Sequence, residues 1–122
     1  MIHAAHSIIY AEDAEATRAF FRDVLGLPAI DSGGGWLIFQ LPPSELGIHP
    51  TGPGAAPSGT HQLYLMCDDI HATVAELASK GVEFDGDVID PGFGLLITMN
   101  VPGGGQIGLY EPKHATAHDL PR

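Results

Sequence analysis

Seven histidines, three tyrosines and one cysteine are the side chains that can hold a transition metal, move a proton or attack an electrophile. The histidines do not form a spaced zinc motif in the linear sequence. His71 falls on a helix surface opposite an apolar stripe, and His3, His114 and His118 lie near the chain ends, so all four are expected in solvent. Cys67 has no activating base beside it and is expected to be inert. Asp68-Asp69 has the look of a paired carboxylate, but its place just before a helical pattern makes it a turn with a helix cap. The triplets Gly33–Gly35 and Gly103–Gly105 precede strands rather than helices, so neither is a phosphate-cradling loop. His6, His49, His61 and the tyrosines Tyr10, Tyr64 and Tyr110 remain to be placed.

Charge and size narrow the chemistry. Five basic against 15 acidic side chains give a formal charge of −10, and Arg18, Arg22, Lys80, Lys113 and Arg122 cannot assemble a basic patch. Nucleic acids and anionic membrane surfaces are therefore excluded as partners. No apolar run is long enough to span a bilayer or to serve as a signal-peptide core. A single cysteine rules out an internal disulfide and fits the cytoplasm. With 122 residues, residues 1–122 are expected to form one domain.

The elements that must position these side chains occur twice. The run His6-Ser-Ile-Ile-Tyr leads to a helix with Asp13 as N-cap, Thr17, Phe21, Val24 and Leu25 at helical spacing, and Gly26 as stop. Gln62-Leu-Tyr-Leu-Met leads to a second helix with Asp69, Ile70, Val74 and Leu77 in the same places and Gly81 as stop. The same spacing separates His6 from Gln62, Asp13 from Asp69 and Thr17 from Thr73. Each helix is followed by strand signals: 28–31, 36–41 and 46–49 in the first half, then 82–89, 95–101 and 106–110 in the second. Each half is therefore strand–helix–strand–strand–strand, an α+β pattern. The first module covers about residues 4–50, a Gly/Pro-rich linker 51–60, the second module about 61–111, and a mobile tail 112–122.

A duplicated βαβββ unit carried on HSIIYAEDAEATRAFFRDVLG and LYLMCDDIHATVAELASKG resembles the vicinal oxygen chelate superfamily. That group takes in glyoxalase I, the bleomycin- and fosfomycin-resistance proteins and the extradiol dioxygenases. The resemblance covers residues 4 to 111 and implies two tandem modules curling into a cup-shaped, partly open sheet. It also implies metal ligands on the first and last strands of each module, pointing inward. Residues two apart on a strand share a face, so His6, Ile8 and Tyr10 face the cup while Ser7 and Ile9 pack on the helix. Likewise Gln62, Tyr64 and Met66, Gly47 and His49, and Gln106, Gly108 and Tyr110 face inward.

The positions matching the family's ligands are then His6, His49, Gln62 and Gly108. The metal candidates are His6, His49 and Gln62, with His61 in reserve; Gly108 has no side chain to offer and Glu111 is out of phase. The implied cofactor is a divalent transition metal (zinc, nickel, iron, cobalt or copper), with no cofactor as the alternative. No Arg or Lys points inward, and Tyr10 stands where glutathione-dependent relatives carry arginine, so glutathione chemistry is disfavoured. The cup is lined by Ile8, Tyr10, Tyr64, Met66, Gln106 and Tyr110, a surface suited to a small neutral or cationic organic molecule.

Three functions are open on these residues. A metal-dependent lyase, isomerase or dioxygenase would use the metal to polarise a substrate oxygen, with Tyr64 or Tyr110 positioning the substrate or donating a proton. A metal-free small-molecule or drug-binding resistance protein of the bleomycin-binding type would need only the lining. A metal-free catalyst would use His6 or His49 as acid–base. The resemblance further implies a homodimer, with each cup built within one chain or between two.

Overall fold

Two aspartates start the helices of the computed structural model, which describes residues 6–121. Asp13 accepts a hydrogen bond from the Ala16 amide at 3.0 Å and opens α1 (Ala14–Ala19), and Asp69 accepts from Ala72 at 3.1 Å and opens α2 (Ile70–Ser79). Each satisfies an amide that the first turn would otherwise leave without a partner. The chain of α1 widens into a π-helical turn over Phe20–Val24. Gly26 and Gly81 then take the left-handed conformation that ends both helices, as their spacing predicts.

The second half forms the complete unit. Strands β3 (Tyr64–Met66), β4 (Phe84–Ile89), β5 (Gly94–Val101) and β6 (Gly105–Pro112) make one sheet in the order β3-β6-β5-β4, with β3 parallel to β6 and the other pairs antiparallel. The first half forms only its central hairpin, β1 (Ala29–Asp31) paired with β2 (Leu37–Phe39). The strands expected at 6–10 and 46–49 make no ladder among the described residues, and their apolar side chains stand in water, Leu46 at 85% and Ile48 at 84% exposure. By the internal repeat they are the counterparts of β3 and β6, which pair with each other. Here the two do not pair with each other, so neither has the neighbour that would order it. His3 and the rest of residues 1–5, with Arg122, lie outside the described residues.

Strand alternation sorts the second sheet cleanly. Ile97, Met99 and Val101 of β5 and Ile107 and Leu109 of β6 are buried against α2, joined by Ile70, Leu77 and Val82. Leu63, Leu65 and Cys67 pack on the same side, as the sequence predicts. Phe20 and Phe21 belong to this cluster too, so the helix of the first half rests on the sheet of the second. The join is tightened by the Thr17 hydroxyl, which donates to the Pro102 carbonyl at 2.9 Å, and by the Asp13 amide, which donates to Gly103 at 3.0 Å. Among the described residues no helix is long and apolar enough to cross a membrane.

Candidate functional site

The open face of the second sheet, away from the helices, carries the aromatic side chains. Tyr64 on β3 lies directly opposite Gly108 on β6, and its ring fills the space a Cβ at Gly108 would need. One strand further, the Tyr110 ring lies over Gly94, with Cζ 3.0 Å from where a Cβ would be. A glycine beneath each ring lets it approach the backbone closely, which a larger residue would prevent. The rings form a continuous series: Tyr64 to Tyr110 at 6.2 Å, Tyr110 to Phe93 at 6.0 Å and Tyr110 to His114 at 5.8 Å. These are the separations at which aromatic rings attract one another.

Hydrogen bonds hold the series in place. The Tyr110 hydroxyl donates to the Phe93 carbonyl at 3.1 Å, and Tyr64 donates to Gln62 Oε1 at 3.3 Å. Gln106, further along β6, donates to Asn100 Oδ1 at 2.9 Å. Burial pushes the Tyr110 phenol above its ordinary pKa, and the negative charge of Glu45 pushes it further, so the hydroxyl stays protonated at neutral pH.

Sequence reasoning missed Phe93 and His114. The segment 112–121, expected to be mobile, is tied down at several points. The Lys113 amide donates to Phe93 at 3.0 Å, its ammonium pairs with Asp90 at 2.8 Å, and the Ala117 amide donates to Glu45 at 2.8 Å. His114 is exposed, as expected, and is held beside Tyr110. The signal was faint: Phe93 sits in a Pro-Gly-Phe-Gly loop, and nothing in the spacing of His114 marks it.

Of the expected lining, Tyr64, Met66, Gln106 and Tyr110 share the open face through their registers on β3 and β6. Ile8 and Tyr10 do not join it as strand residues; Tyr10 is 91% exposed and makes no ring contact within the described residues. Glu111, out of phase as expected, turns to the helix side and accepts the Ile70 amide at 2.9 Å. Cys67 is half-buried with its thiol near the Tyr110 carbonyl, and burial raises its pKa, which lowers its thiolate fraction at neutral pH. Two open grooves lie elsewhere: one of about 340 Å³ between α2 and β4 includes His71 and Asp87, and one of about 250 Å³ adjoins Pro42. Neither includes a residue of the aromatic face.

The donor set does not fit a resident divalent metal. Gly108 supplies no donor, and the Tyr64 ring occupies the space where a longer side chain would reach out. Gln62 Oε1 already accepts from Tyr64, and His49 Nδ1 lies 2.7 Å from the Pro50 carbonyl. Among the described residues no three His, Cys, Asp or Glu side chains converge. Two imidazoles and one amide leave a divalent ion without an anionic ligand.

Comparison with known proteins agrees with the architecture. The family model described as the Glyoxalase/Bleomycin resistance protein/Dioxygenase superfamily matches residues 3–116. TnmS3, an antibiotic-binding protein from Streptomyces sp. CB03234, is similar at 25% identity and a TM-score of 0.66, covering 93% of this chain and 98% of that one. A member of the same superfamily from Sphaerobacter thermophilus shares 23% identity at a TM-score of 0.63, over 90% of this chain and 98% of its own. A lactoylglutathione lyase from Agrobacterium tumefaciens shares 18% at 0.61, over 89% and 92%, a likeness of fold alone. No curated protein sequence matches the chain. With a family model spanning nearly the whole chain and a βαβββ unit in its second half, this chain belongs to the glyoxalase/bleomycin resistance protein/dioxygenase superfamily.

Proposed function

We propose that this chain is a metal-independent, cytoplasmic binding protein for a small, flat, largely aromatic organic molecule. The observation that carries the reading is the pair of tyrosine rings laid over Gly108 and Gly94, one of which fills a position where the family places a metal ligand. A surface of rings with few polar groups recognises a planar molecule by stacking and burial, not by polarising a bond. The likeness to an antibiotic-binding protein supports the same class of function. Catalysis by His6 or His49 has no comparable support, since both are exposed and neither has an acid–base partner among the described residues.

The test is fluorescence titration with a neutral planar probe such as acridone, with and without a chelator. The expected result is saturable binding that chelation leaves unchanged and that Tyr110→Ala weakens about tenfold, the order of a lost aromatic contact with its burial. Binding that chelation abolishes would overturn the reading.

A second copy of the chain is the natural cover for the unpaired first-half strands. Residues 6–10 and 46–49 expose a set of apolar side chains that a monomer would leave in water, including Ile8, Leu46 and Ile48. Light scattering at micromolar concentration is expected to give a dimer, and Ile48→Asp a monomer. A wild-type monomer would refute it.

A further inference from the structure

We propose that the aromatic face takes an organic cation, a flat ring system carrying a protonated amine or ring nitrogen, with Glu45 as its counter-charge. The inference rests on the reading of that face as a binding surface and adds the sign of the ligand.

Glu45 is anomalous in its surroundings. Every residue from Gln40 to Gln62 is exposed except Glu45, whose side chain is only 20% accessible. A carboxylate is the side chain least expected to turn inward in a loop that otherwise faces water. Its Oε1 accepts the Ala117 amide at 2.8 Å, while Oε2 lies 3.9 Å from His114 Nε2. That His114 ring is the one held 5.8 Å from Tyr110. The carboxylate thus stands at the margin of the ring series with one oxygen free to accept from a donor. Its field also reaches the floor, because it opposes ionisation of the Tyr110 phenol.

No Lys or Arg among the described residues turns to this place. Among the described residues Arg22 pairs with Asp23, Lys80 with Glu76 and Lys113 with Asp90, and Arg18 lies 5.1 Å above the Trp36 ring. Ring faces present negative potential, and a carboxylate beside them completes a surroundings that favours positive charge. The formal charge of −10 draws a cation in from a distance and repels an anion of the same shape. An anionic planar ligand would have to desolvate beside the Glu45 carboxylate with no Lys or Arg among the described residues to meet it.

The experiment titrates three flat probes of similar size: proflavine, a cation; acridone, neutral; and anthraquinone-2-sulfonate, an anion. Proflavine is expected to bind about tenfold more tightly than acridone, and the anion more weakly than either. Glu45→Gln keeps an oxygen for the Ala117 amide, so the C-terminal segment stays tied, and is expected to remove most of the proflavine advantage while leaving acridone unchanged. Asp87→Asn removes the same charge from the groove beside α2 and is expected to change neither. Equal loss of proflavine in both variants would mean a general charge effect and overturn the assignment of Glu45. If acridone binds, Tyr110→Ala weakens it and Glu45→Gln leaves proflavine unaffected, the cation inference falls and the aromatic face stands. If no probe binds, both fall together.

Discussion

Adding one methyl group at Gly108 tests whether the Tyr64 ring truly occupies that space. Gly108 does not adopt a left-handed backbone, so alanine is compatible with its strand, and on backbone grounds alone Gly108→Ala should stabilise by about 0.5–1 kcal/mol. Against this, the added Cβ meets three atoms of the Tyr64 ring, among them Cγ at 2.9 Å. Because Cγ is involved, the ring cannot escape by rotating its far end and must move at its root. Overpacking of this kind costs about 1–3 kcal/mol, and the half-exposed position of Tyr64 places the cost in the lower half of that range. The net expectation is a loss of about 1 kcal/mol, a fall in Tm of roughly 4 °C. In a Tyr64→Ala background the collision is gone and the same substitution should stabilise by about 0.5–1 kcal/mol. Urea denaturation followed by far-UV circular dichroism, at one fixed protein concentration, gives all four corners of the cycle. The two halves should differ by about 1.5–2 kcal/mol. Equal stabilisation by Gly108→Ala in both backgrounds would refute the packing, and with it the aromatic floor.

Three further outcomes are expected. Asp69→Ala removes the acceptor for the Ala72 amide at the start of α2 and should cost about 1 kcal/mol in the same denaturation assay, with Asp69→Ser recovering most of it. The Asp90 carboxyl is held below the usual range, first by its hydrogen bond from Lys113 and then by the Gly92 amide. A depressed folded-state value means its contribution is present above the unfolded value of about 3.9 and is lost as pH falls through the folded one. The stability difference between wild type and Asp90→Asn should therefore be present at neutral pH and vanish in acid; a difference that persists unchanged at pH 2 would contradict it. Burial holds the Cys67 thiol above its ordinary pKa, aided by the charge of Glu111, although Thr73 works against it. An aromatic disulfide reagent should accordingly modify it slowly in the native protein at pH 8 and rapidly in denaturant.

What the sequence could and could not reveal divides along a physical line. The helices were legible because their signals are local: Asp13 and Asp69 cap within three residues, and Gly26 and Gly81 stop the turns in place. The faces of β3 and β6 were legible because alternation is also local, and one side of each strand had to be apolar to meet α2. The segments 6–10 and 46–49 carry equally good strand patterns, yet pattern alone does not pair them. A strand is stable only against a neighbour, and the neighbour is a matter of topology. The site divides the same way. Tyr64 and Tyr110 followed from phase, but the glycines beneath them acquire meaning only through register, Gly108 from its partner across a parallel ladder and Gly94 from its diagonal across a hairpin. Glu45 and His114 are far apart in sequence and meet only because β6 returns the C-terminal segment to the loop that holds Glu45. The part of the site that decides the charge of its ligand is thus the part with no local signature. Only the folded chain shows which carboxylate turns inward, because the partners of Glu45 are His114 and Ala117 and not its own neighbours in sequence.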